Sequence, residues 1–286
     1  MFDKMLKPME REPDSEYFEN PAIGSTAGKL FLHDGPAAFR FGDKGGPSPE
    51  VAAVGHAVHC HVLEGAEEFR KRFLWGVSGD GRTKAVKDAR KAQAEEAAEK
   101  GMEILTPTSS FNQTVLDLMT KNVRMHPKVM HLIGHGEAEL AARATITSPR
   151  GNMVRLQAKI DYLVDWGNWS ESQAWHVLDL KTIDKIGNIA QAMKRFDYLY
   201  QVGHYCLILR DYLDTMPSWS FVFVEKRAPY TAAKVVIAPG DIEQAIARAE
   251  QNAFKLADCL KSDHWPTGYE NEMGWDSTLG RVVDLG

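Results

Sequence analysis

The chain has 286 residues, 44% of them hydrophobic and 26% charged, which is enough apolar material to build a core without disulfides. Its net charge of -5 excludes a generally polycationic nucleic-acid binder; a role on DNA requires positive charge concentrated locally. Three scattered cysteines, Cys60, Cys206 and Cys259, form no CxxC pair, which points to a reducing compartment and away from a thiolate metal cluster. The N-terminal stretch lacks an apolar signal-peptide core and no run of about 18 apolar residues occurs, so the expected location is cytoplasmic, with no membrane partner.

In chain order, residues 1–20 read as polar and flexible. Residues 22–41 read as a turn and a short helix starting near Ser25 or Thr26, and 41–50 as a Gly/Pro-rich loop. One helix is predicted over 50–73, with His59 near its middle. Residues 81–101 form a polar, alanine-rich helical pattern whose bases precede its acids, against the preference of the helix dipole. Another helix is predicted over 106–126, starting near Thr108–Ser110. Strands follow at 138–147 and 153–164. In the second, Val154, Leu156, Ala158, Ile160, Tyr162 and Val164 alternate with Arg155, Gln157, Lys159 and Asp161 and are expected to share one face. A turn-rich link at 165–173 leads to a strand at 174–183, which predicts a hairpin. A long helix over 188–213, strands at 219–226 and 232–238, and a helix at 240–260 opening on a loose Asp241/Gln244 capping box complete the pattern. This order predicts an α/β fold, one mixed sheet flanked by helices, in a single domain: a flexible segment (1–20), a mainly helical part (21–135), a sheet core with helices (136–266) and a tail (267–286).

The chemistry concentrates in "HVLDLKT", residues 176–182. Residues two apart on a strand share a face, so Asp179 and Lys181 are neighbours on a largely apolar strand. If the preceding strand pairs with this one, Asp161 comes close to Asp179. Two carboxylates can hold Mg²⁺, and a lysine beside them can orient a water or meet charge developing on a phosphate. The same residues would also suit an exposed hairpin with an Asp–Lys pair, and D-x-K triplets are common by chance. In the helix that follows, Gln201 and Tyr205 of "QVGHY" lie one turn apart on one face, with Asp197 before them.

"DYLVDWGNWSESQAWHVLDLKT" followed by "QVGHY" resembles the PD-(D/E)xK nuclease superfamily with its Q-x-x-x-Y helix. "VGHAVHCHVLEGAEEFRKRF" (54–73), "FDYLYQVGHYCLIL" (196–209) and "LADCLKSDHWP" (256–266) narrow the likeness to RecE-type (exonuclease VIII) proteins, over roughly residues 20–266. The resemblance implies a restriction-endonuclease-like core with an N-terminal helical elaboration. It implies metal ligation by Asp161 and Asp179, with help from the Leu180 carbonyl, and Lys181 beside the attacking water. Gln201 and Tyr205 would sit near the site and the DNA backbone. Glu139 would be the upstream acid, with Glu137 a competing choice, and His59 would lie near the metal, although a helical histidine is more often structural. Mg²⁺ is the implied cofactor, with Mn²⁺ substituting; three scattered cysteines speak against the iron–sulfur cluster of some relatives.

The implied activity is a 5′→3′ exonuclease on linear double-stranded DNA ends, leaving 3′ overhangs for a single-strand annealing protein of RecT type. The alternatives are a repair endonuclease of the same superfamily or a non-catalytic DNA-end binder. The implied assembly is a ring-shaped homo-oligomer, a trimer or tetramer, whose passage needs local positive charge. Arg82, Lys84, Lys87, Arg90 and Lys91 are the local candidates, although a solvated helix fits them equally well. Ser25 and Thr26, at a helix start, are placed to donate to a phosphate or simply to cap the helix.

Overall fold

Residues 5–20, within the segment expected to be flexible, instead begin the fold. Met5 bridges to Leu213, β1 (Glu10–Arg11) joins the edge of the main sheet, and α1 (Asp14–Glu19) buries Tyr17. The computed structural model describes residues 5–43, 48–165, 175–267, 273–276 and 281–284. The helix predicted within 22–41 divides into α2 (Ser25–His33) and α3 (Gly35–Phe41), because Gly35 adopts φ 89° between them.

The single helix expected over 50–73 is interrupted. α4 (Pro49–His59) passes into one π-helical turn (Cys60–Glu64), and α5 (Ala66–Arg72) and β2 (Phe73–Trp75) follow. Gly65, at φ 103°, donates its N–H to the Cys60 carbonyl five residues back at 2.9 Å, which closes the wide turn. α6 (Lys84–Lys100) buries only Ala97, as its polar pattern implied, and β3 (Glu103–Leu105) pairs in parallel with β2. α7 (Gln113–Arg124) starts later than predicted. Asn112 accepts the Val115 N–H at its N-terminus, while the Thr108 hydroxyl accepts the Phe111 N–H in a separate turn.

The main sheet is built from β4 (Gly136–Thr147), β5 (Met153–Asp165), β6 (Trp175–Ile183), β7 (Ser218–Glu225) and β8 (Ala232–Ile237), with α8 (Ile189–Arg195) and α9 (Tyr198–Leu209) between β6 and β7. α10 (Pro239–Ser262), β9 (Met273–Asp276) and β10 (Arg281–Asp284) follow. α10 starts on Pro239 with no side-chain cap, so the Asp241/Gln244 box does not form. The six strands run β1-β4-β5-β6-β7-β8, all neighbours antiparallel except β6 and β7. A parallel pair needs a crossover, and α8–α9 supplies it. The predicted link at 165–173 falls outside the described residues beyond Asp165, and so does most of the tail.

The sheet is buried on both faces. α2, α9 and α10 cover one, and α4, the π turn and α7 cover the other. β6 and β7 therefore read as near-continuous apolar runs. The even-numbered residues of β5 do not keep to one face as predicted. Val154, Leu156, Ala158 and Ile160 enter the first core, whereas Tyr162 and Val164 enter the second and Leu163 the first. β4 changes over at the same level, with Leu140 in the first core and Ala138 in the second. The residue between them, Glu139, has φ 60°, a left-handed conformation that exchanges the faces of the side chains on either side.

The long helix expected over 188–213 breaks at Phe196–Asp197. Asp197 adopts φ 43° and becomes the N-cap of α9, accepting the Tyr200 N–H at 3.2 Å. Its carboxylate also binds His33 Nε2 and Arg248 Nη2, each at 2.8 Å, so tertiary contacts hold a conformation that a non-glycine residue rarely adopts. Asp197 thus stands before α9 as its cap instead of inside one continuous helix with Gln201 and Tyr205. α9 crosses α10 at Gly203, where a Cβ would lie 2.0 Å from the Ala245 carbonyl oxygen. Gly203→Ala should force the helices apart and cost about 3 kcal/mol, read as a lower urea midpoint at unchanged m-value.

Candidate active site

Among the described residues β5 and β6 pair over four positions, from Asp165↔Trp175 to Tyr162↔Leu178. The next residues on the two strands are Asp161 and Asp179, so both acids sit where the ladder opens. The Leu180 N–H, no longer matched across the ladder, donates to Asp161 Oδ2 at 2.9 Å. Asp179 is 1% exposed. Its Oδ2 accepts from Gln201 Nε2 at 2.6 Å. Its Oδ1 faces Lys181 Nζ at 2.5 Å, an ion-pair contact without hydrogen-bond angles, and no other donor reaches that oxygen. His59, at the end of α4 where the π turn begins, brings Nδ1 to 3.5 Å from Asp161 Oδ2. Tyr205 lies one turn along from Gln201 and lines the same cleft.

Burial dominates the electrostatics. It pushes both Asp161 and Asp179 up to about 6, with Lys181 only partly offsetting it. Burial pulls Lys181 down, but the two acids outweigh it and hold its ammonium above the ordinary range. Burial and then Lys181 lower the His59 imidazolium, favouring the neutral ring.

A cleft of about 1130 Å³ opens above this floor. Glu139, Asp161, Lys181, Gln201, Tyr205 and His59 line it, and Ser25 and Thr26 line it from the first turn of α2. Glu137 instead borders a separate depression beside Met9 and Leu140, so of the two competing acids it is Glu139 that reaches the cleft. Glu139 is held by Lys159 Nζ at 2.9 Å, and Lys159 also contacts Asp14 of α1. The basic set Arg82, Lys84, Lys87, Arg90 and Lys91 is exposed on and before α6, away from the cleft. Arg82 binds Asp80, and Arg90 bonds the Val77 and Gly79 carbonyls, so part of that charge serves its own loop.

The cleft also holds cations that the sequence reading passed over. Lys29, one helical turn after Ser25, donates to the Phe196 carbonyl at 2.7 Å; burial first and Lys181 second pull its ammonium down to about 8. Its i+4 spacing from Ser25 was the available signal. Arg72, also lining the cleft, binds the buried Glu64 at 2.5 Å. Nothing in "RKRF" marked it.

The donor set suits a hard divalent cation. Among the described residues no three His, Cys, Asp or Glu side chains converge as a complete cage. Mg²⁺, however, is commonly held by one or two carboxylates and keeps several waters. Asp161 and Asp179, one with an oxygen lacking any hydrogen-bond donor, together with the Leu180 carbonyl, meet that requirement.

A family model described as a PDDEXK-like domain of unknown function (DUF3799) matches residues 38–272. A comparison with curated proteins returns no match. Among solved structures, the fold is similar to the crystal structure of a presumed exonuclease from Eubacterium rectale, with a TM-score of 0.54, 10% identity, and coverage of 89% of this chain and 88% of that one. At that identity the likeness is one of fold, the restriction-endonuclease-like mixed sheet flanked by helices. No helix among the described residues is long and apolar enough to cross a membrane.

The raised values of the two acids have a direct readout. In metal-free protein, carboxyl ¹³C shifts should show the Asp161–Asp179 pair taking up protons as the pH falls through about 6, well above ordinary aspartate. Saturating Mg²⁺ should move that uptake to lower pH, because the cation competes with protons for the same oxygens.

Proposed function

The chain belongs to the PDDEXK-like family, and so to the PD-(D/E)xK nuclease superfamily, and from that premise we propose a Mg²⁺-dependent 5′→3′ exonuclease of RecE type. In this reading it degrades one strand of linear double-stranded DNA and leaves 3′ single-stranded overhangs for recombination through a RecT-type annealing protein. The observation that carries the reading is the convergence of Asp161, Asp179 and Lys181 at the fork between β5 and β6, with Gln201 fixed to the second acid.

Asp161, Asp179 and the Leu180 carbonyl would hold the metal, with His59 beside Asp161 and Glu139 as the further acid. Mn²⁺ would substitute for Mg²⁺. When bound, the ion supplies Lewis-acid activation of the phosphodiester and of a water. Gln201 keeps one Asp179 oxygen turned toward it, leaving the other for ligation. His59, favoured as the neutral ring, keeps the Asp161 side uncharged apart from the carboxylate. Lys181, protonated through the working pH range, is released from Asp179 to meet the negative charge that builds on the phosphate. Ser25 and Thr26, at the exposed N–H groups of α2, would take a phosphate of the strand end. A ring of three or four subunits would collect positive charge around the DNA despite the acidic total, and the α6 bases would face that passage. The working compartment is cytoplasmic in this reading.

Lys181→Ala should lower Mg²⁺-dependent digestion of 5′-phosphorylated linear duplex by at least ~100-fold while leaving the melting temperature within a few degrees. Strands labelled at the 5′ or the 3′ end report polarity, and mass measured in solution reports the ring. Cleavage of closed circular duplex would instead identify a repair endonuclease. DNA binding with no digestion by the wild type in Mg²⁺ or Mn²⁺ would identify an end-binding protein.

A further inference from the structure

The break between α8 and α9 does more than redirect a helix. It places Phe196 on the lining of the cleft with the residue 48% exposed, although a surface helix normally turns such a ring inward. The position is fixed from three sides. Asp197 is held in its left-handed conformation by His33 and Arg248, and Lys29 binds the Phe196 carbonyl. The Arg195 guanidinium lies 5.4 Å from the Phe196 ring centroid, and the Tyr198 ring lies 5.7 Å away, tilted by 33°. Tyr198 continues inward: Lys181 Nζ is 5.3 Å and Lys29 Nζ 5.6 Å from its centroid. An aromatic and cationic path therefore runs from Phe196 to the lysine of the Asp–Asp–Lys centre. Phe18 of α1 also lines the cleft and is 68% exposed.

Flat rings held rigidly among cations are the elements that bind unpaired nucleobases, the rings stacking and the cations meeting the backbone. We propose that Phe196, supported by Arg195 and Tyr198, is a stacking platform for one unpaired nucleobase beside the phosphate that Lys181 addresses. This deepens the nuclease reading and rests on it. Phe196 selects for a strand end whose base has left the duplex stack, and it is a binding residue separate from the metal centre. Lys29 fixes the platform through the Phe196 carbonyl and at the same time adds positive charge where the adjoining phosphate passes.

The test is a cycle between ring and base. Fluorescent 5′-phosphorylated linear duplexes carry an abasic nucleotide stepped through the four terminal positions of the 5′ strand. Binding is followed by anisotropy without divalent metal. Wild-type protein should lose about tenfold in affinity at one position, the scale of one stacked base. Phe196→Ala should bind intact and abasic ends equally at that position, with an unchanged thermal melt, and Phe196→Trp should restore the difference. Wild type indifferent to base removal at every position overturns the proposal, as does Phe196→Ala retaining the full abasic penalty. If wild type digests linear duplex yet ignores base removal, only the platform fails; if it neither binds nor digests DNA, the nuclease reading fails with it.

Discussion

Everything at this site depends on where one β-ladder stops. β5 and β6 remain paired as far as Tyr162↔Leu178 and then separate, so that the next residue on each strand is an aspartate unpaired across that ladder. Burying two carboxylates there carries a desolvation cost that hydrogen bonds and one ammonium only partly offset. The Leu180 N–H, Gln201 and Lys181 are the groups that offset it, and each arrives from a different constraint: the splayed backbone, the crossover helix and the strand's own two-residue period. The crossover is obligatory because β6 and β7 are parallel. The same connection that closes the fold therefore delivers Gln201 over Asp179.

The sequence made much of this legible. Two-residue periodicity put Asp179 and Lys181 on one face, and 3.6-residue periodicity put Gln201 and Tyr205 together. The five long strands, β4 to β8, were found to within a few residues because β6 and β7 are apolar on both faces and β5 alternates through most of its length; the strands of two to four residues were not. What stayed hidden were the interruptions. The π turn after His59, the break at Asp197 and the face exchange at Glu139 all occur inside segments whose periodicity continues through them. Two of these are held by partners outside their own segment: Arg248 and His33 hold Asp197, and Lys159 on the neighbouring strand holds Glu139. A periodic pattern reports which residues are apolar, and it contains no record of such a tertiary partner.

The same blindness explains the cleft's cations. The five bases before and on α6 were conspicuous because they are clustered in sequence, yet they lie outside the cleft. Lys29 and Lys159 stand apart from any basic run, Arg72 ends a short one, and the three are brought together by α2, β5 and α5. An acidic chain acting on a polyanion would need local positive charge. Clustering along the chain was a poor guide to clustering in space.

Glu139 carries the least comfortable backbone among the cleft residues, a left-handed conformation inside a long strand, which costs a non-glycine residue on the order of 1 kcal/mol or more. That conformation turns the hairpin over and gives Ala138 and Leu140 to different cores. The local geometry suits glycine, whereas the cleft and Lys159 suit a carboxylate. Position 139 is thus a place where the backbone and the side-chain contacts ask for different residues. The Lys159 ion pair is the contact that a glycine there would forfeit.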